Sequence, residues 1–168
     1  MTRASTIVLL AFIVVATIGC DRVTKHVAMQ TIAGGPERSY WGDTIRVVYV
    51  ENTGGFLSLG ASLPPTVRRA LFTVGSGALL LGLVGVAIRQ RWHGWALVGV
   101  TLFVAGGASN WIDRVARGSV VDFLNVGVGP IRTGIFNVAD VAIMAGAVLV
   151  IVGASRVTSG QTSEHGRE

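Results

Sequence analysis

The chain alternates between long stretches without charge and shorter polar segments. Four of the apolar stretches are predicted to span a membrane, at about residues 5–24, 66–88, 94–113 and 133–155. A helix needs about 20 mainly apolar residues to cross the hydrocarbon core of a bilayer. Because backbone N–H and C=O groups in lipid must bond within the segment, stretches of this length are expected to be helical.

The connection between the first two spans, residues 26–65, is long and has a strand-like part. Residues Thr44–Val50 are rich in β-branched and aromatic side chains and partly alternate between apolar and polar positions, which is typical of a β-strand. We therefore expect a small β-sheet that lies on the membrane surface.

The distribution of charge bears on orientation. Four spans put both termini on one side, where five Lys and Arg residues lie, against nine on the side of the long loops. Taken alone, these counts favour termini outside the cell. However, the first span usually dominates, Arg3 precedes it without a nearby acid, and seven of the nine acids can pair with the nine cations. We therefore expect cytoplasmic termini.

These patterns predict a membrane all-α protein of four transmembrane helices with a small extracytoplasmic β-sheet. The helices and the sheet form one domain, residues 1–157, and a disordered cytoplasmic tail follows at 158–168. The composition agrees, because 14% of residues are charged against about 25% in soluble domains. The net charge is +5, but the chain has only one Lys and therefore lacks a face dense in Lys and Arg. We expect membrane lipid and not nucleic acid as a partner.

Polar side chains gather at the loop-side ends of the spans, where each one is costly and suggests a function. Asp21 and Lys25 share a helix face at the end of the first span, and Asn52 and Gly54 follow the strand-like segment. Alone, the first pair fits an interfacial ion pair and the second an ordinary turn. The end of the third span carries a polar stripe, formed by Asn110, Asp113 and Arg114.

Two aspartates flank or enter the fourth span and suggest acid–base chemistry. Asp122 lies among bulky apolar residues, and Asp140 shares a helix face with Asn137, roughly 10 Å inside the apolar stretch at 1.5 Å per residue. Two neighbouring carboxyl groups share a proton, so one can activate water while the other protonates a carbonyl oxygen. The sequence has no His-Glu-x-x-His motif, and we expect neither a metal nor another cofactor.

Four short motifs in this order resemble the lipoprotein signal peptidase (signal peptidase II) family. The first is Asp21 with Lys25 four residues later, and the second is Asn52-Thr53-Gly54. The other two are listed together: Asn110-Trp111-Ile112-Asp113-Arg114 with Val120-Val121-Asp122-Phe123 downstream, and Phe136-Asn137-Val138-Ala139-Asp140. The chain departs from the family pattern at Gly55, where Ala is common, and at Ser109, where Gly is common.

The resemblance implies an aspartic peptidase of the bacterial inner membrane, with four spans, cytoplasmic termini and an active site near the outer face. We expect the protein to be a monomer. Its substrate would be a diacylglyceryl-modified prolipoprotein, cut just before the lipidated cysteine. The catalytic pair would be Asp122 and Asp140. The supporting residues would be Asp21, Lys25, Asn52, Gly54, Asn110, Asp113, Arg114 and Asn137.

Two other functions remain open on the sequence alone. Buried aspartates also serve proton relays, so a small proton-coupled carrier or channel subunit is one alternative. The segment before Cys20 resembles a signal peptide with a lipoprotein cleavage site, which would instead make the chain a lipoprotein lipidated on Cys20.

Overall fold

The structure is a computed structural model that describes residues 2–55, 60 and 62–164, with side chains as far as residue 153. Its helices and strands follow in chain order: α1 Arg3–Thr31, β1 Arg38–Tyr40, β2 Ile45–Asn52, α2 Pro65–Arg69, a π-helical segment Ala70–Gly75, α3 Ser76–Arg89, α4 Gly94–Arg117, β3 Val120–Val128, β4 Ile131–Arg132 and α5 Val138–Glu164. The helix is continuous from α2 through α3.

The long helices confirm a membrane protein. Within the described ranges, α1, the continuous helix Pro65–Arg89 and α4 are each long and apolar enough to cross a bilayer. In α5, the apolar part is the shorter stretch Val138–Gly153, so the number of four spans stays a prediction. The helix of α5 continues to Glu164 and overlaps the stretch from residue 158 for which we predict a disordered tail.

The predicted start of the last span at residue 133 is wrong, because α5 begins at Val138. The five residues before it turn back along β3 instead. Thr133 donates its backbone N–H to the carbonyl of Val126, and Phe136 exchanges backbone hydrogen bonds with Leu124. These contacts hold 133–137 extended, so Asp140 lies in the first turn of α5 and not deep within a helix.

The four strands form one antiparallel sheet in the order β1-β2-β3-β4. The predicted strand in the first loop is confirmed as β2, whereas the sequence patterns did not identify β3. Ala28 and Ile32, at the end of α1, pack with Val121 and Phe123 of β3 in a small buried core. This core fixes the sheet against the end of the helix bundle.

Small residues bring α4 and α5 into close contact. A Cβ atom at Gly106 would lie 2.5 Å from the carbonyl oxygen of Ala139, and one at Gly146 would lie 2.6 Å from that of Gly99. Glycine is therefore required at these positions, as is common where membrane helices approach closely. The contact at Ala139 places the first turn of α5 directly beside the polar stripe of α4.

Candidate active site

Lys25 lies at the centre of a buried ionic cluster that joins α1 to α4. Its Nζ atom is 2.7 Å from Oδ2 of Asp21 and 2.8 Å from Oδ2 of Asp113, and it donates a hydrogen bond of 2.7 Å to Oδ1 of Asn110. The ammonium group therefore makes one hydrogen bond and two ion pairs, all with buried partners. The side chain is only 1% exposed, so Lys25 does not belong to a solvated interfacial pair.

Asp113, at the edge of this cluster, also contacts two arginines. Arg117 donates to its Oδ1 atom at 2.7 Å, and Arg22 also donates to that atom. Asp113 is completely buried, whereas Arg22 is 44% exposed. The two arginines thus offset the second carboxylate of a cluster that holds one ammonium and two carboxylates.

Asp21 connects the cluster to the start of α5. Its Oδ1 atom accepts the backbone N–H of Ala139 at 2.9 Å, and its Oδ2 atom accepts the hydroxyl of Ser109 at 2.6 Å. A carboxylate is stabilised at a helix N-terminus, where backbone N–H groups lack intrahelical partners. The bond from Ser109, which is fully buried, gives a physical role to one of the departures from the family pattern.

Asn137 and Asp140 cap α5 reciprocally. Oδ1 of Asn137 accepts the backbone N–H of Asp140 at 3.0 Å, and Oδ2 of Asp140 accepts the backbone N–H of Asn137 at 3.1 Å. This is the geometry of a capping box, in which two otherwise unsatisfied N–H groups are paired. The other carboxylate oxygen of Asp140 accepts the side-chain amide of Asn110 at 3.0 Å.

Asp122 enters the site from β3 and is 3% exposed. It stands opposite Val50 in the register of β2 and β3. Its Oδ1 atom accepts the amide of Asn137 at 2.6 Å, and its Oδ2 atom accepts the amide of Asn52 at 2.9 Å. Burial raises the pKa of Asp122 above its ordinary value, against the opposing effect of these two hydrogen bonds and of the charges on Lys25 and Arg114.

Asn137 links the carboxylates of Asp122 and Asp140. This residue donates its side-chain amide to Asp122 and its backbone N–H to Asp140, so both carboxylates lie within hydrogen-bond reach of one residue. Two neighbouring carboxyl groups favour a state in which one is protonated. The pair can then supply a general acid and a general base in the same reaction.

The loop after β2 is tied to both the carboxylates and α4. Oδ1 of Asn52 accepts the backbone N–H of Gly54 at 2.9 Å, and the carbonyl of Gly54 accepts a bond of 2.8 Å from Arg114. A Cβ atom at Gly55 would lie 2.6 Å from the ring of Phe72. The ring therefore occupies the space of the alanine methyl that is common in the family pattern.

All ten residues predicted for the site belong to one connected network of hydrogen bonds and ion pairs. The sequence reasoning missed Ser109, Arg22 and Arg117 as members. Ser109 and Asp113 are four residues apart on α4, so the helical stripe could have revealed the serine. Within the described ranges, no group of three or more His, Cys, Asp or Glu residues is placed to hold a metal ion.

Comparison with known proteins gives consistent matches over most of the chain. A family model described as signal peptidase (SPase) II matches residues 13–156. A lipoprotein signal peptidase of Streptococcus pneumoniae is 30% identical over 145 residues, which cover 86% of this chain and 90% of that protein. A lipoprotein signal peptidase of Mycobacterium tuberculosis is 32% identical over 150 residues, covering 86% and 69%.

Solved structures with a similar fold are also membrane enzymes. One bacterial membrane enzyme, determined by the in meso method at 2.3 Å resolution, has a TM-score of 0.76 and 27% identity, covering 90% of each chain. A second, at 1.9 Å resolution, has a TM-score of 0.75 and 26% identity, covering 87% of this chain and 92% of that one.

Proposed function

The chain belongs to the signal peptidase II family of lipoprotein signal peptidases, and from that premise we propose an aspartic mechanism with Asp122 and Asp140 as the catalytic pair. The enzyme removes the signal peptide from diacylglyceryl-modified prolipoproteins by cutting the peptide bond before the lipidated cysteine. The observation that carries the mechanism is that Asn137 donates hydrogen bonds to both carboxylates.

In the proposed reaction, one carboxylate takes a proton from water and the other carboxyl group gives its proton to the carbonyl oxygen of the scissile bond. The water oxygen bonds to the carbonyl carbon to form a tetrahedral intermediate. When the C–N bond breaks, the amine of the cysteine leaves with a proton from the carboxyl group that had received one from water. The other carboxylate takes a proton back from a hydroxyl group of the intermediate as the C=O bond re-forms. The products are a new carboxyl terminus and a free amine, and the pair again holds a single proton.

The amide groups around Asp122 support this role by fixing its orientation. Asn52 and Asn137 each donate to a different oxygen of that carboxylate, so the group cannot rotate without breaking a hydrogen bond. Lys25 and Asp21 act as positioning residues, since they fix Asn110 and the start of α5, respectively. Residues of α1, α4 and β2 thus help to orient the proposed catalytic pair.

We propose four spans, with the termini in the cytoplasm and the active site at the outer face of the inner membrane. The substrate's two acyl chains keep its cysteine in the membrane, because each buried CH₂ contributes about 0.8 kcal/mol. The scissile bond then reaches the site by lateral diffusion at headgroup depth. The enzyme is proposed to act as a monomer and without a cofactor.

Neither of the other functions considered from the sequence has comparable support. A carrier would not explain the match to the peptidase family, which extends over residues 13–156. A lipoprotein processed at Cys20 would lose most of α1, which is one continuous helix from Arg3 to Thr31 and belongs in part to the matched region.

The substrate proposal predicts that lipidation of the substrate strongly accelerates cleavage. Purified protein in lipid nanodiscs should cut a diacylglyceryl-modified prolipoprotein peptide about 100-fold faster than the same peptide with an unmodified cysteine, because two acyl chains concentrate it at the membrane. The measurement is kcat/KM for both peptides, with the Asp122→Asn variant as the blank. Equal rates for the two peptides would contradict the proposal.

The proposed orientation is tested by labelling single cysteines in intact cells. In a Cys20→Ala background, a membrane-impermeant maleimide should label Ser39→Cys, on the outer side. It should reach Gln90→Cys and Gln161→Cys only after the membrane is opened, because both lie on the cytoplasmic side in the proposed topology. The reverse labelling pattern would refute the orientation.

A further inference from the structure

The two turns at the end of the sheet away from the active site expose a cluster of large apolar side chains. The turn that follows β1 carries Trp41 directly after Tyr40, and the turn between β3 and β4 is flanked by Val128 and Ile131. Trp41 is 79% exposed, Val128 is 75% exposed and Ile131 is 82% exposed. Outside its helices, the structure describes no other exposed large apolar side chain. We call these four residues the apolar tip.

Backbone contacts hold the two turns of the apolar tip together. The backbone N–H of Gly127 donates to the carbonyl of Thr44 at 2.9 Å, and Arg132 donates to the carbonyl of Asp43 at 2.6 Å. The exposed side chains therefore form one patch and not two separate ones. An exposed apolar patch on a folded protein marks a site of interaction with another protein or with a membrane.

The turn that carries Trp41 has an unusual backbone. Trp41, Gly42 and Asp43 have φ angles of 51°, 61° and 69°, in the left-handed region that is uncommon for residues other than Gly. The carboxylate of Asp43 accepts the hydroxyl of Ser39 at 2.8 Å and Nε of Arg46 at 2.7 Å. Such strain persists only where surrounding contacts fix the backbone, and it is common at functional sites. The turn thus holds Trp41 in place although its side chain is mostly exposed.

The apolar tip adjoins an exposed apolar part of α1. This helix has 29 residues and is about 43 Å long at 1.5 Å per residue, so it extends beyond a hydrocarbon core of about 30 Å. Val23 and Val27, which follow Asp21, are both exposed. A cleft of about 280 Å³ between α1 and the sheet is lined in part by Val27 and Tyr40. The tip is therefore continuous with the membrane-facing surface of the helix.

The composition of the tip and its surroundings suits a lipid surface. Trp and Tyr are enriched at membrane–water interfaces, because their rings are apolar and each carries one polar group. Residues 37–46 and 128–132 contain three arginines and two acids. The carboxylate of Asp43 is 2.6 Å from Arg46 and 3.5 Å from Arg132. The tip therefore does not present this acid to lipid phosphates without a paired cation, and the arginines favour contact with anionic headgroups.

We propose that the apolar tip inserts into the headgroup region of the bilayer, in the leaflet beside the active site, and holds the sheet at a fixed depth. Asp122 lies on β3, six residues before Val128, so the depth of the tip sets the depth of this proposed catalytic residue. Insertion of the tip does not depend on the proposed peptidase mechanism, whereas its effect on cleavage rests on that mechanism.

Insertion is tested with purified full-length protein in nanodiscs of phosphatidylcholine and phosphatidylglycerol. In a Cys20→Ala background, a nitroxide label is attached to Val128→Cys. Electron paramagnetic resonance then compares the access of oxygen, which dissolves in lipid, with the access of a water-soluble nickel chelate. The ratio of oxygen access to nickel access should be several-fold higher than at the matched control Ala33→Cys, an exposed position just beyond α1.

A double variant tests whether the apolar side chains cause the insertion. Trp41→Asn/Ile131→Thr removes apolar surface but suits the backbone, because Asn is enriched in the left-handed region and Thr is common in strands. It should lower the ratio at Val128→Cys several-fold and leave thermal unfolding in detergent unchanged. Trp41→Phe/Ile131→Leu should keep the wild-type ratio. No change in the Asn/Thr variant would overturn the proposal. Equal ratios at Val128→Cys and Ala33→Cys would also overturn it, in favour of a docking site for another protein.

The effect on cleavage is measured separately, as kcat/KM for a lipidated substrate peptide in nanodiscs and in detergent micelles. Trp41→Asn/Ile131→Thr should lower kcat/KM several-fold in nanodiscs and leave it unchanged in micelles, which have no flat bilayer surface to set a depth. An equal change in both, or no change in nanodiscs, would overturn the depth-setting role. The Asp122→Asn variant should show wild-type insertion, so the tip remains testable even if the proposed catalytic pair is wrong.

Discussion

Replacing Asp122 or Asp140 with Asn is expected to lower the rate of prolipoprotein cleavage by about 10³-fold or more, because neither carboxyl group can perform both proton transfers alone. Both variants should still fold, since Asn keeps the size and one acceptor oxygen of Asp. The rate is measured in single-turnover assays, and folding by thermal unfolding in detergent.

The matched control for these variants is Asp43→Asn, which changes a carboxylate in the turn between β1 and β2. Asp43 is paired with Arg46 and is far from the site end of the sheet, where Asn52 stands opposite Val120. It should therefore cleave at the wild-type rate. A rate within a few-fold of wild type for Asp122→Asn or Asp140→Asn would refute the assignment of the catalytic pair.

The pH dependence of cleavage gives a further check on Asp122. Burial disfavours its charged form and raises its pKa, so the protonated form persists to higher pH than in a free aspartate. The pH at which kcat/KM responds to the titration of Asp122 should therefore be higher than the ordinary pKa of an aspartate. Removing the amide donor by Asn52→Leu should move this pH further upward, because hydrogen bonds to the charged form lower the pKa.

Replacing Lys25 with Met is expected to lower the free energy of unfolding by about 3–5 kcal/mol, the range seen when one partner of a buried ion pair is removed. The change would leave the carboxylates of Asp21 and Asp113 buried, with no exposed side-chain surface, and facing the place of the missing ammonium group. The free energy is measured by denaturant unfolding in mixed micelles, together with kcat, which should fall because Asn110 loses the shorter of the two hydrogen bonds to its Oδ1 atom.

Arg22→Met is the matched control for Lys25→Met, since both cations contact Asp113. Arg22 is 44% exposed, so its removal should cost no more than about 1 kcal/mol. The triple variant Asp21→Asn/Lys25→Met/Asp113→Asn should recover part of the lost stability, because it removes the two buried carboxylates that would face the missing ammonium group. Equal losses for Lys25→Met and Arg22→Met, with no recovery in the triple variant, would show that Lys25 is not the centre of a buried ionic cluster.

The elements that depend on local pattern were largely predictable from the sequence. Length and lack of charge identified the long membrane helices, because crossing a bilayer requires a continuous apolar stretch. Alternation and β-branched residues identified β2, because both are local features of a segment that forms a strand. The motifs named the ten residues predicted for the site, because their spacing within each segment is a local property of the chain.

Other features depend on contacts between residues that are far apart in the chain. β3 becomes a strand because it pairs with β2, and α5 starts at Val138 because residues 133–137 bond to β3 first. No local pattern near Asp140 reveals those partners. The position of Asp140 in a capping box was therefore decided by the tertiary structure.

The same division applies to the chemistry of the site. The sequence by itself determined that Asp21, Lys25 and Asp113 lie near the ends of their helices, where an ion pair in water is the ordinary outcome. Only packing of α1 against α4 buried them together and brought Asp21 to the backbone of Ala139, 118 residues away. The physical reason is that burial depends on which helix faces pack against each other. The sequence shows which residues share a face of one helix, but it does not show which other face packs against them.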